Sequence, residues 1–193
     1  KRYYNCLDQN SFFLTGTDEH GQKVEKAASD ASIDPQKFTD SVSQNFRDMS
    51  SLLNLSNDDF IRTTEQRHKK SVQSLWEILE KNDDIYLSKY SGWYSVRDEA
   101  FVADNEIEER GGKKFNSFGS ELTWVEEESY FFRLSKWQDK LIKFYDDNPD
   151  FIVPKSRSNE VRKFVESGLK DLSVSRTTFN WGIKVPTNDK HIV

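Results

Sequence analysis

The sequence is short of the residues that staple, anchor or interrupt a chain. Its 193 residues include one cysteine, Cys6, which excludes an internal disulfide framework and any cysteine-rich zinc site. A lone thiol suits a reducing compartment. Four prolines and eight glycines leave long stretches open to regular structure. No apolar run approaches the roughly 20 residues that cross a bilayer, so no membrane partner is expected. The first residues, Lys1-Arg2-Tyr3-Tyr4-Asn5, hold no apolar signal-peptide core, and a cytoplasmic location is the expectation. Excess positive charge is also absent: 28 Lys and Arg face 33 Asp and Glu, a net charge of -5, unlike a general nucleic-acid binder. The only methionine is Met49 and the chain opens on Lys1, so it is expected to be a piece of a longer product.

What is present is aromatic and periodic. Fourteen Phe, seven Tyr and five Trp are enough to fill a core although only 35% of residues are hydrophobic. Residues 11–17 are expected to form a short buried strand and 22–31 a helix. Asp34-Pro35 is a helix start, a capping acid followed by proline at the first helical position, for a helix reaching about Leu53. Phe60 to Thr63 is a second strand. Thr63-Thr64-Glu65-Gln66 has capping-box spacing for a helix to about Lys81, with Val72, Leu75, Trp76, Ile78 and Leu79 on one face. This α/β texture changes after Asn82-Asp83-Asp84. Ile85–Tyr94 alternates as a half-buried strand does, 97–120 is polar with a Gly111-Gly112-Lys113-Lys114 turn, and 122–125 returns as a strand. Ser135-Lys136-Trp137-Gln138 repeats the capping-box spacing before a helix with Trp137, Leu141, Ile142, Phe144 and Tyr145 inward, stopped by Asn148-Pro149. A helix over about 159–169 presents Val161, Phe164, Val165 and Leu169, and 171–193 is loop and short strand.

Two segments are candidates for chemistry. Gly16-Thr17-Asp18-Glu19-His20-Gly21 lies at the carboxyl end of the first strand, where open α/β sheets bind ligands. Asp18 there is suited to pairing with an ammonium group. No Gly-Lys-Ser/Thr follows Gly21, so the segment is not a phosphate loop, and an ordinary polar turn remains the alternative. In Asp171-Leu172-Ser173-Val174-Ser175-Arg176-Thr177-Thr178 the guanidinium of Arg176 offers a fork for phosphate or carboxylate; a surface loop with Arg176 on a neighbouring carboxylate is the alternative. His20, His68 and His191 are too scattered for a local metal cluster. Arg67-His68-Lys69-Lys70 is a basic helical cluster, by default a solvated face.

Together the segments are more specific than singly. Phe12-Phe13-Leu14-Thr15-Gly16-Thr17-Asp18-Glu19-His20-Gly21-Gln22-Lys23 resembles a signature of bacterial-type methionyl-tRNA synthetases. Phe60-Ile61-Arg62-Thr63-Thr64 with Arg67-His68-Lys69 is similar to the family's next segment. Tyr90-Ser91-Gly92-Trp93-Tyr94 with Asp98-Glu99 resembles the start of its connective insert. Ser129 to Ser135 and Asn159-Glu160-Val161 resemble the insert's later part. Gly168 to Arg176, then Trp181-Gly182-Ile183-Lys184-Val185-Pro186, resembles the return to the catalytic domain. The order is the family's throughout.

The resemblance implies an α/β fold, part of a class I nucleotide-binding (Rossmann-like) domain interrupted by a small α+β insert. The expected parts are 1–83 and a truncated 171–193 from the catalytic domain, flanking an insert at 84–170. The implied activity condenses methionine with ATP, Mg2+ accompanying, to methionyl-adenylate and passes methionine to tRNA(Met). By position, Asp18 would hold the methionine ammonium group and Arg176 would stabilise charge near ATP during adenylation; His20 shares the signature without an assigned role. The family's His-Ile-Gly-His, Tyr-Val-Trp-Phe-Asp and Lys-Met-Ser-Lys-Ser motifs are absent, so this piece alone is expected to be inactive. Residues 95–128 hold no cysteine, which places the chain with the zinc-free relatives and predicts an insert held by packing alone. Two rivals make different predictions. An RNA- or protein-binding module derived from the insert would bind an acceptor stem with steep salt dependence. A hydrolase using Asp18, Glu19 and His20 would hold a metal ion.

Overall fold

In the computed structural model, residues 1–98 and 100–193 are described; Glu99, quoted above for the insert, lies outside the described residues, as do the side chains of Tyr90 and Asn105. A short helix α1 (Arg2–Cys6) leads to strand β1 (Leu14–Thr17), helices α2 (Gln22–Asp30) and α3 (Pro35–Leu52), strand β2 (Asp59–Arg62) and helix α4 (Gln66–Lys81). β1 and β2 run parallel, with Leu14 opposite Asp59 and Thr17 opposite Arg62, so α2 and α3 form the crossover that parallel strands require. As predicted, Asp34 caps α3: its carboxylate accepts from the N–H groups of Gln36 (3.0 Å) and Lys37 (3.2 Å), with Pro35 following. Gly16 is where the two strands approach most closely. A Cβ there would stand 1.9 Å from the Ile61 carbonyl oxygen, so only glycine fits.

Residues 85–132 are built on two long antiparallel strands, β3 (Ile85–Ser95) and β7 (Leu122–Phe132), paired from Ile85–Phe132 to Ser95–Leu122. β4 (Ala100–Val102) flanks β3, and β8 (Leu172–Ser173) flanks β7. Strands β5 (Ile107–Arg110) and β6 (Lys113–Asn116) form a hairpin whose turn, Gly111-Gly112, has φ of +60° and +77°, the left-handed pair that tight hairpins favour. Helices α5 (Gln138–Asp147) and α6 (Lys155–Glu166) follow, and β9 (Lys184–Val185) pairs with β10 (Asn188–Ile192). The fold is thus mixed α/β. Its buried cluster of Trp76, Ile85, Tyr130 and Val185 joins α4, both long strands and β9.

Several local expectations are corrected. β7 continues past Val125 through Glu126-Glu127-Glu128, because the charges obey a strand's period of two: Glu127 is buried while its neighbours are exposed. Thr63 does not cap α4; Glu65 occupies that position without a side-chain capping bond, and the Thr63 hydroxyl oxygen instead accepts from the Glu19 N–H at 2.9 Å. Ser135 does not cap α5 either. A 3-10 turn spans Leu134–Trp137, and Ser135 donates its hydroxyl (2.6 Å) and N–H (3.1 Å) to Asp171. α6 starts at Lys155 and ends at Glu166, leaving buried Leu169 beyond it. On α4 only Trp76 is buried, with Leu75 and Ile78 more than half exposed; α5 buries no residue among those described.

The region between β6 and β7, expected to be held by packing alone, is held by hydrogen bonds as well. Asn116, buried at the end of β6, accepts through Oδ1 from the N–H groups of Phe118 (3.0 Å) and Ser120 (2.8 Å). Its Nδ2 donates to Asp98 at 2.7 Å, and the Ser95 hydroxyl donates to the same Asp98 oxygen at 2.5 Å. These bonds tie the ends of β3 and β6 to the start of β7. They hold the Asp98 carboxyl below its usual range, led by the Ser95 hydroxyl.

Candidate active site

The chain leaves β1 at Thr17 and turns before α2, so residues 18–21 stand at the carboxyl end of the parallel pair. Glu19 organises this turn. It is only 4% exposed, and its carboxylate accepts from the Thr17 hydroxyl (2.6 Å), from Nε (2.7 Å) and Nη2 (2.9 Å) of Arg62, and from the Thr64 hydroxyl. Burial by itself would raise the Glu19 pKa. The donors Arg62, Thr17 and Thr64 outweigh it, and the carboxyl sits below its ordinary value. Arg62 is held in turn by Asp40 at 2.7 Å. The Glu19 backbone is clamped as well, its N–H by Thr63 and its carbonyl by Nε1 of Trp181 at 2.6 Å. A carboxylate so fully engaged is not turned toward a metal ion. Among the described residues no group of three or more His, Cys, Asp or Glu side chains could hold one.

Asp18 is presented outward by this clamp. It is exposed and lines a cavity of about 280 Å3 with Gly16, Val24, Phe38, Val42 and Phe46, between the turn and α2–α3. His20 points elsewhere, packed on Trp181 with ring centroids 5.4 Å apart. Burial, then the nearby charge of Lys69, lowers its pKa; Asp18 opposes the shift without cancelling it, which keeps the imidazole neutral at physiological pH.

Arg176 is fixed on the other side. Its backbone forms an isolated bridge with Ile192, with N–H to carbonyl bonds of 2.9 Å in both directions. Nη1 donates to the Ser173 hydroxyl (2.6 Å) and the Ser175 carbonyl (2.7 Å), Nε lies 3.5 Å from Glu127, and the guanidinium carbon sits 5.0 Å from the ring centre of Phe101. The pairing with a carboxylate foreseen as the plainer role of Arg176 is therefore present. It does not close the site, since Arg176 lines a cavity of about 130 Å3 with Gln22, Tyr94 and Glu127, and a second of about 250 Å3 with Gly21, Ser173 and Phe179.

The structure brings the two sequence candidates to one region: Gly21 N–H donates to the Trp181 carbonyl at 3.1 Å, and both Gly21 and Gln22 line cavities with Arg176. The Asp18 side chain itself lines a different cavity. Sequence reasoning missed the clamp of Arg62, Thr63, Thr64 and Trp181 around Glu19. One signal was available: an arginine next to Phe60-Ile61 in a strand has to find a buried acid.

Fold and site together define a class. The model of a protein family, "tRNA synthetases class I (M)", matches residues 1–193, and the chain belongs to that family. It is 62% identical over 192 residues to the methionine–tRNA ligase of Rickettsia typhi and 58% identical over 193 residues to that of Rhizobium meliloti. All of the chain is covered in both, but it spans only 37% of the length of these relatives. Among solved structures it is similar to Mycobacterium tuberculosis methionyl-tRNA synthetase bound by methionyl-adenylate, with a TM-score of 0.92 and 46% identity over 99% of this chain and 38% of that one. The apo form of the same enzyme aligns with a TM-score of 0.72.

Proposed function

We propose that the chain is the part of a methionine–tRNA ligase that presents Asp18 to the methionine ammonium group and Arg176 to the charge that develops on ATP. The carrying observation is 62% identity to a methionine–tRNA ligase along the whole chain. Methionine and ATP would condense to methionyl-adenylate with release of pyrophosphate, and methionine would then pass to tRNA(Met). Asp18 suits its role because the caged Glu19 beside it leaves it exposed and fixed in place. Arg176 suits its role because its own hydrogen bonds preorganise a positive charge beside a cavity. His20 is not assigned a chemical step. Mg2+ would travel with the ATP phosphates, and no residue of this chain is assigned to it. We read the insert as zinc-free, its Asn116–Asp98–Ser95 clasp standing where a metal could have crosslinked the strands. Residues 1–83 and 171–193 are assigned to the catalytic domain and 84–170 to the insert. The location is taken as cytoplasmic.

The test is methionine-dependent ATP–pyrophosphate exchange in a chain of full family length carrying this segment. Asp18→Ala should lower kcat/KM for methionine roughly 100-fold, the cost of leaving a charged group unpaired. Undiminished exchange would remove the ammonium role. The 193-residue chain alone should show no exchange.

A further inference from the structure

Arg176 owes its placement to its neighbour, and that neighbour is held by a histidine with no part in the proposed chemistry. Ser175 is 1% exposed, and its hydroxyl oxygen accepts from the Tyr130 N–H at 2.9 Å. The same hydroxyl shares a hydrogen bond of 3.0 Å with Nδ1 of His191. Nε2 faces a carboxylate oxygen of Glu128 at 3.4 Å, and the ring packs edge-on against Tyr130 at 5.0 Å. His191, itself 1% exposed, stands on β10 one residue before Ile192, the residue that pairs with the Arg176 backbone. Ser175 in turn offers its carbonyl to Nη1 of Arg176 (2.7 Å) and to the Ser129 hydroxyl (2.9 Å). The chain of contacts therefore runs from Glu128 on the insert's β7, through His191 and Ser175, to the guanidinium of Arg176.

A Ser–His–Glu series also suggests a nucleophile. The same numbers exclude that use, because serine and histidine are both sealed from solvent and the serine oxygen already takes a backbone proton. What the series can do is hold a peptide in one orientation. We propose that His191 is a positioning residue: through Ser175 it orients the Arg176 guanidinium and couples that orientation to the insert strand β7. This rests on the adenylation role of Arg176 proposed above.

The test uses pyrophosphate exchange in the full-length protein. His191→Phe keeps a buried ring but removes the hydrogen-bond partner of the Ser175 hydroxyl. It should lower kcat roughly 10- to 100-fold, as small misplacements of a catalytic group do, while KM for methionine stays within about twofold. His191→Asn places an amide, able to donate or accept, near the place of Nδ1 and should recover most of the loss. In an Arg176→Ala background His191→Phe should have almost no further effect, since a residue acting through Arg176 cannot lose that contribution twice. Equal effects of His191→Phe with and without Arg176, or kcat within twofold of wild type, would overturn the proposal. If His191→Phe does not fold, Ser175→Ala replaces it with the same expectations and the same overturning results. Should wild type catalyse exchange and Arg176→Ala leave it intact, the adenylation role fails and this inference goes with it. If Arg176→Ala abolishes exchange while His191→Phe leaves kcat within twofold of wild type, this inference alone fails.

Discussion

At the scale of single residues, Glu19 separates what was legible from what was not. The sequence placed it in a chemically promising turn beside Asp18 and His20. The structure makes it the buried post that the other two stand on, with four donated bonds to its carboxylate. Glu19→Gln removes the charge facing Arg62, which keeps Asp40. The variant should lose about 2 kcal/mol in urea denaturation, less than a fully orphaned buried pair would. The pH dependence follows from the lowered pKa of Glu19. Its unfolded value is near 4.3, so the stability it contributes is complete above that pH and is lost as pH falls through the lower folded value. The gap between wild type and Glu19→Gln should be widest near neutrality and narrow steadily in acid. A gap that widens on acidification would contradict this account. His20 has the opposite ionisation chemistry but the same sign: with its pKa lowered, the unfolded chain binds the extra proton, and the histidine's contribution fades as pH drops below about 6.5.

At the scale of elements, boundaries set by local chemistry were readable and those set by distant partners were not. Asp34-Pro35 starts a helix because its capping bonds reach only two and three residues ahead. Gly111-Gly112 makes a hairpin because both φ values are positive, a cost glycine does not bear. The spacing at Thr63 and Ser135 was equally suggestive. Both hydroxyl groups were recruited by acids or amides 36 to 44 residues away, Asp171 and Glu19. The turn after β6 makes the same point, since nothing in the spacing of Ser95, Asp98 and Asn116 announces that they meet. Asn116→Ala should cost about 2 kcal/mol, because the buried amide of Ser120 and the half-buried amide of Phe118 both lose their acceptor. Amide hydrogen exchange at Phe118 and Ser120 should quicken while exchange in α3 stays unchanged; equal acceleration in both would point to global loosening instead.

At the scale of the molecule, the accessible surface is 13,136 Å2, whereas a monomer of this mass is expected to show about 9,500 Å2. The excess is apolar in places: Phe12, Leu52, Phe151, Val153 and Phe164 are each more than 60% exposed. The parallel pair β1–β2 forms a sheet of only two strands, too few to stand alone. The 193-residue chain by itself should therefore bind a hydrophobic dye and sediment with concentration-dependent mass. A dye-silent monomer across the micromolar range would count against this. The exposed faces of α4 and α5 have the same origin. Their periodicity was read correctly as amphipathic, but amphipathicity says which face seeks cover and not whether this chain supplies it.

By itself the sequence determined the types and order of the elements from β1 to α4 and the family to which the chain belongs, whereas α1 and β4 carried no such signal. These depend on short-range patterning and on colinear motifs. Only the tertiary structure decided that Glu19 is buried and Asp18 exposed, that Arg176 is pinned to Ile192, and that Ser175 and His191 meet. Adjacent residues in a turn carry no signal of which will turn inward. That is settled by where Arg62, Trp181 and His191 arrive, 43, 162 and 16 residues away from their partners.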